Sequence, residues 1–150
     1  MHPRVGRPLL ALLAALAVLI AAVPTVVLAE SDEPVALDDG WSFVEDPGDE
    51  GLDAGRATGG GEGWEEVAVP HVMLPDPVEE NMPGTVGWYR VDFEGPESED
   101  GRGWAVRFGS VRREATVWLN GRQIATNSDP YTPFTVPLDG LRQGEDNTLV

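Results

Sequence analysis

Residues 114–126 read Glu-Ala-Thr-Val-Trp-Leu-Asn-Gly-Arg-Gln-Ile-Ala-Thr. Ala115, Val117 and Leu119 alternate with polar or bulky neighbours, which puts them on one face of a strand. Asn120-Gly121 follows, and both residues tolerate the positive φ that a two-residue type I′ turn requires. Arg122 to Thr126 then forms the return strand. One hairpin with a buried face needs partners, and the flanking sequence supplies them.

Upstream, Trp88 to Phe93 alternates, with Tyr89, Val91 and Phe93 on one face and Trp88, Arg90 and Asp92 on the other. Trp104, Val106 and Phe108 share a face in the same way. Trp41-Ser42-Phe43 opens an earlier run, and Val67-Ala68-Val69 forms another that stops at Pro70. Downstream, Asp129-Pro130 marks a turn. Phe134, Val136 and Leu138 alternate, while Pro133 and Pro137 confine that stretch to an edge or irregular strand. Gly144 to Asn147 is expected to turn, and Thr148-Leu149-Val150 to begin a strand. No segment after residue 30 keeps a helical period for three turns. The expected class is all-β, a sandwich or jelly roll. Two longer connections, 46–63 and 71–86, are the places where binding would normally sit.

Residues 1–29 differ from the rest. Arg4 and Arg7 precede an apolar run from Leu9 to about Ala22, and Val27-Leu28-Ala29 fits a small-residue cleavage site, with Glu30 the first mature residue. This reads as a signal peptide; the alternative is an uncleaved anchor, since Pro8 to Ala29 carries no charge. Either way residues 30–150 are expected to be secreted or extracytoplasmic, with membrane contact only if the signal is retained.

The chain has 150 residues, 26 acidic and 10 basic, for a net charge of −16. Residues 30–150 keep every acid and lose Arg4 and Arg7, so they are two units more negative still. Such a surface repels phosphate and excludes nucleic acid as a partner. Cysteine is absent, which excludes disulfides and thiolate-ligated metals. Asp46, Asp49, Glu50 and Asp53 invite a calcium reading, but Gly48 and Ala57 occupy the third and twelfth positions and break the EF-hand pattern. No metal or cofactor is therefore assigned, and calcium has no motif behind it.

Five segments in order resemble the N-terminal sugar-binding domain of glycoside hydrolase family 2, which includes β-galactosidases, β-glucuronidases and β-mannosidases. They are Trp41-Ser42-Phe43 with Asp46-Pro47; Trp64-Glu65-Glu66-Val67-Ala68-Val69-Pro70-His71; Gly87-Trp88-Tyr89-Arg90 with Phe93; Phe108 through Val111 and Ala115 to Gly121; and Tyr131-Thr132-Pro133-Phe134 followed by Leu138, Leu141, Gly144 and Asn147 to Val150. The resemblance covers residues 36–150. It implies a jelly-roll β-sandwich of the galactose-binding type, cut before the end of its last strand. It further implies a retaining hydrolase whose two catalytic Glu sit in a TIM barrel, reached through an immunoglobulin-like domain; neither domain is in this chain. No catalytic residue is therefore assigned, and whether the chain acts as an enzyme is left open.

In that family the loop after the Val-Pro-His strand approaches the sugar pocket, so His71, Asp76, Glu80 and Asn81 are the candidate carbohydrate-binding or pocket-shaping residues. Trp41 and Trp64 are the candidates for stacking on a sugar face. Trp88, Trp104 and Trp118 fall in strands and are expected to pack in the core or between the sheets, and Arg90 to play a structural role. The alternatives to a hydrolase domain are a free-standing secreted carbohydrate-binding module and a non-functional truncated fragment with an unpaired sheet edge. The sugar itself is not named by any residue here.

Overall fold

The computed structural model describes residues 34–73, 86–98 and 101–150. The signal segment and Asp76, Glu80 and Asn81 lie outside them. The described chain from Val35 onward is one compact unit, all-β apart from a short 3-10 turn at Arg56–Thr58. Among the described residues no helix is long and apolar enough to cross a membrane.

The described residues form eight strands in two antiparallel sheets. In chain order they are β1 (Trp41–Asp46), β2 (Glu65–Val67), β3 (Val86–Glu94), β4 (Ala105–Phe108), β5 (Ala115–Leu119), β6 (Arg122–Asn127), β7 (Phe134–Pro137) and β8 (Asp146–Leu149). The larger sheet has the order β2-β1-β3-β8-β5-β6, and β4 pairs with β7 in the smaller one. The core lies where the two meet. Val91, Val117, Leu119 and Leu149 project from the larger sheet against Val136 and Leu138, with Phe93, Trp104, Val106, Phe108 and Phe134 packed around them. Phe108 and Phe134, paired across the smaller sheet, stack at 4.9 Å. Pro137 is tolerated because β7 is paired on one side, to β4.

The alternation read for residues 88–93, 104–108, 115–119 and 134–138 is that of the structure. The hairpin is also as expected: Asn120 and Gly121 have φ of 51° and 81°, the left-handed pair a type I′ turn needs. A bulge between Val117 and Trp118 adds twist to β5.

Two expectations need correction. The strand expected at Val67-Ala68-Val69 is Glu65–Val67, because Glu65, Glu66 and Val67 pair with Phe43, Ser42 and Trp41 and the ladder ends there. Asn147 is not part of a turn. It lies in β8 at 2% exposure and uses its whole amide: Oδ1 accepts from Arg142 N and Asn120 Nδ2 at 2.9 Å each, and Nδ2 donates to the Arg142 and Glu145 carbonyls at 2.8 Å. β8 itself lies inside the larger sheet. It pairs with β3 through Val91↔Leu149 to Glu94↔Asp146, and with β5 at Leu119↔Leu149 and through two Trp118–Val150 backbone bonds.

Candidate functional site

The connection at 46–63 was the longest binding candidate, and the structure uses it differently. It lies as a strap over the larger sheet, on the face away from the smaller one. Asp46 anchors its start. Oδ1 accepts from Glu50 N at 3.0 Å, and Oδ2 accepts from Gly51 N at 2.8 Å and from Trp88 Nε1 at 2.9 Å. The Trp88 hydrogen bond, then the two backbone N–H groups and the Arg56 charge, outweigh burial and hold this carboxyl below its usual value. Further along, Gly59 (φ 77°) puts its carbonyl 2.8 Å from Arg90 Nη1. A Cβ on Gly59 would meet Arg90 and Thr148 at 3.0 Å, which is why the strap can lie flat only with glycine there.

Trp88 is buried, as expected, with the strap as its cover. Its ring is 6% exposed and packs beneath the strap against Trp118, 5.1 Å between centroids, not between the sheets. Trp104 does pack against the inter-sheet core. Arg90 is structural, as expected. It pairs with Asp92, whose carboxyl is pushed up by partial burial but held below its usual value by Arg90 and by the Thr148 hydroxyl at 2.7 Å.

The two stacking candidates are half-buried. Trp41 Nε1 donates to the Leu37 carbonyl at 2.7 Å, and its ring packs against the core. Trp64 Nε1 donates to the Gly60 carbonyl at 3.0 Å, and the Arg56 guanidinium sits 5.6 Å from its ring centroid. Asp46 spends its oxygens inside the strap, and among the described residues no group of three or more His, Asp or Glu could hold a metal ion.

His71 is the one loop candidate within the described residues. Its Nδ1 is 2.8 Å from the Tyr89 hydroxyl, and Phe43 packs 5.0 Å from its ring and 4.9 Å from the Tyr89 ring. Burial pushes the Tyr89 phenol above its usual value. The trio sits on the inner face of β1 and β3, with Met73 continuing over Gly87. The chain has thus come back to the end of the sheet where β1 finishes and β3 begins.

Strand directions bring other connections to the same end. β5 starts there and β6 finishes there, because Ala115 pairs with Asn127 at the opposite end from the Asn120-Gly121 turn. The β4–β5 loop, 109–114, and the β6–β7 loop, 128–133, therefore adjoin, and Arg112 lies 5.3 Å from the Tyr131 ring centroid. Tyr131 is 73% exposed. Asp129 fixes its position: Oδ1 accepts from Tyr131 N at 2.9 Å and Thr132 N at 3.2 Å, and Oδ2 accepts from Thr132 Oγ1 at 2.8 Å. Those bonds, the Tyr131 N–H first, hold the Asp129 carboxyl below its usual value. Asn127 Nδ2 closes the turn on the Asp129 carbonyl at 2.7 Å.

Arg112 and Tyr131 were not singled out from the sequence. Tyr131 was read as part of a family segment, and Arg112 fell between two quoted positions of another, Val111 and Ala115. The signal that could have found them is the run Arg112-Arg113 in a chain with so few cations, followed later by an Asp-Pro-Tyr turn.

No family model matches the chain. Among curated proteins it is 30% identical over 99 residues to a β-glucuronidase of Formosa agariphila, covering 57% of this chain and 10% of that protein. It is 27% identical over 111 residues to the β-galactosidase BoGH2A of Bacteroides ovatus, covering 67% of this chain and 13% of that one. Among solved structures it superposes on Ruminococcus gnavus β-glucuronidase with a TM-score of 0.64 at 26% identity, covering 75% of this chain and 20% of the other. The chain thus spans between 10% and 20% of the length of these relatives. In sequence and in fold alike, it is similar to the N-terminal domain of the family 2 glycoside hydrolases.

Proposed function

We propose that this chain is the exported N-terminal, non-catalytic domain of a retaining glycoside hydrolase acting on terminal β-glycosidic bonds, with a jelly-roll topology of the galactose-binding type. The observation that carries the reading is the likeness to β-glucuronidases over 75% of this chain but 20% of theirs. A domain with that relation to its relatives acts beside the chemistry.

The carboxyls support it. A retaining mechanism needs two of them about 5–5.5 Å apart, one with a raised pKa to act as acid. Each described carboxyl with a resolved shift, Asp46, Asp92 and Asp129, moves the other way. Each is also committed to hydrogen bonds within the fold. On this reading the domain's contribution is the end of the sandwich where the loops gather. Its pocket-shaping residues are His71 and the stretch holding Asp76, Glu80 and Asn81, with Trp41 and Trp64 nearer the sheet edge.

The test is expression of the reading frame through whatever follows Val150, alongside the 150-residue chain, with 4-nitrophenyl β-glucuronide, β-galactoside and β-mannoside as substrates. The expected result is hydrolysis by the longer product alone. Turnover by the 150-residue chain, or a longer frame encoding no barrel with paired Glu, overturns the reading. N-terminal sequencing of the exported protein should begin at Glu30.

A further inference from the structure

Exposed arginines are few on this acidic chain, and three of them lie close together in sequence. Arg107, Arg112 and Arg113 fall within one short stretch, and all three are exposed. Acidic residues outnumber basic ones 26 to 10, yet among the described residues none of these three has a carboxylate partner; the ion pair there joins Arg90 to Asp92. Arg56, Arg122 and Arg142 likewise have no carboxylate partner among the described residues, so what marks this stretch out is a different feature.

Tyr131 supplies it. The ring is the most exposed large apolar side chain of the described residues, at 73%, and the Arg112 guanidinium lies 5.3 Å from its centroid. The turn beneath is held by the four bonds of Asp129 and Asn127 given above. The Asp129 carboxylate, the nearest negative charge in sequence to Tyr131, is bonded into its own turn by two N–H groups and a hydroxyl. What faces solvent is an aromatic ring on a held turn, with a guanidinium over it whose N–H groups are bonded to no described residue.

These two groups match two features of one ligand class. A tyrosine face accepts the C–H face of a pyranose ring. A guanidinium presents a planar fork to a carboxylate and binds it through two parallel hydrogen bonds. We propose that Arg112 and Tyr131 form a binding site for a hexuronate, with the ring on Tyr131 and the C6 carboxylate on Arg112. The choice of an acidic sugar over an acidic protein surface rests on the glycosidase-domain reading above.

The test is calorimetric titration of the full chain with methyl β-glucuronide and with methyl β-glucoside, which differ in the carboxylate alone. The glucuronide should bind about tenfold more tightly, the worth of one charge-assisted pair. R112Q should bring it to the glucoside's level. R107Q removes the same charge from the strand beyond and should leave binding within about twofold. Y131A should weaken both sugars. Equal binding of the two glycosides, or an R112Q protein that still prefers the glucuronide, overturns the proposal. Binding of an oligoglutamate peptide with no response to either glycoside also overturns it, in favour of protein docking. None of these outcomes bears on the hydrolase reading, which the frame beyond Val150 decides separately. Both side chains are exposed, so a matching melt for each variant shows that lost binding is not lost folding.

Discussion

The indole N–H of Trp88 donates to Oδ2 of Asp46 at 2.9 Å, joining residues 42 apart in sequence. This bond fastens the strap at its origin and roofs the Trp88–Trp118 pair. Because the carboxyl is held below its ordinary value of 3.8, its stabilisation is fully present above that value and is lost as the pH falls below it toward the folded pKa. The D46N protein should therefore be less stable at neutral pH, by about 2–3 kcal/mol. It should also have a shallower loss of stability below pH 4 than the native chain. Urea melts across the acid range check this; parallel curves for the two proteins would remove Asp46 from the acid response.

Gly51, in the strap, packs against both partners of that bond. A Cβ there would collide with the Trp88 indole and with the Asp46 carboxylate, whereas one on Gly48 would meet nothing closer than Glu50 at 3.5 Å. G51A should cost about 2–3 kcal/mol, and more if the strap lifts. G48A should stay within about 0.5 kcal/mol. Both substitutions replace a glycine in one loop, so the difference between them isolates the packing from any general effect of alanine. Tryptophan fluorescence in G51A should report a wetter indole.

Asn147 satisfies four groups in the buried centre of the larger sheet. N147A leaves two carbonyls, the Arg142 N–H and the Asn120 amide short of a partner and should cost about 3 kcal/mol or more. N147D keeps the shape but turns a carboxylate oxygen toward the Arg142 and Glu145 carbonyls where a donor stood. It should be no more stable than N147A at neutral pH. It should recover part of the loss in acid, where a protonated carboxyl again donates. A thermal melt series against pH distinguishes the two.

The His71–Tyr89 contact predicts a spectroscopic signature. Burial raises the Tyr89 phenol, so its ionisation should begin above the ordinary value of 10.0, and the absorbance step should vanish in Y89F. Forming the phenolate opposes burial, so the stability tied to this group is present below that value and is lost as the pH climbs past it. H71A should shift the step, since the imidazole is 2.8 Å from the hydroxyl. A step unchanged in both variants would mean another tyrosine carries it.

Legibility followed the range of the interactions. The hairpin was readable because Asn120 and Gly121 state their backbone requirement locally, and the strands because alternation is a property of neighbours. Asn120 also did something no local rule describes. Its side chain accepts from Thr148 N and donates to Asn147, both at 2.9 Å, clamping β8 from 27 and 28 residues away. Asn147 was misread for the same reason: an asparagine near a glycine looks like a turn until its four partners are known. That residues 46–63 lie as a strap was not legible, because its anchors, Trp88 and Arg90, sit in a later strand. In the candidate site His71 was singled out, because a strand ending in Val-Pro-His is a sequence pattern. Arg112 and Tyr131 were not, because their meeting depends on two loops converging.

The position of β8 bears on the order in which the domain can assemble during synthesis. The ribosome delivers β1 to β3, then β5 and β6, and each group can pair within itself. Among the described strands, the two groups are joined in one sheet only through residues 146–149. Until that short piece of chain emerges, the inner faces of both groups have an uncertain register and their apolar residues wait unprotected. The last four-residue strand to appear therefore sets the moment at which the fold becomes a single cooperative body, and slow or incomplete delivery of it is the point at which this domain is most exposed to aggregation.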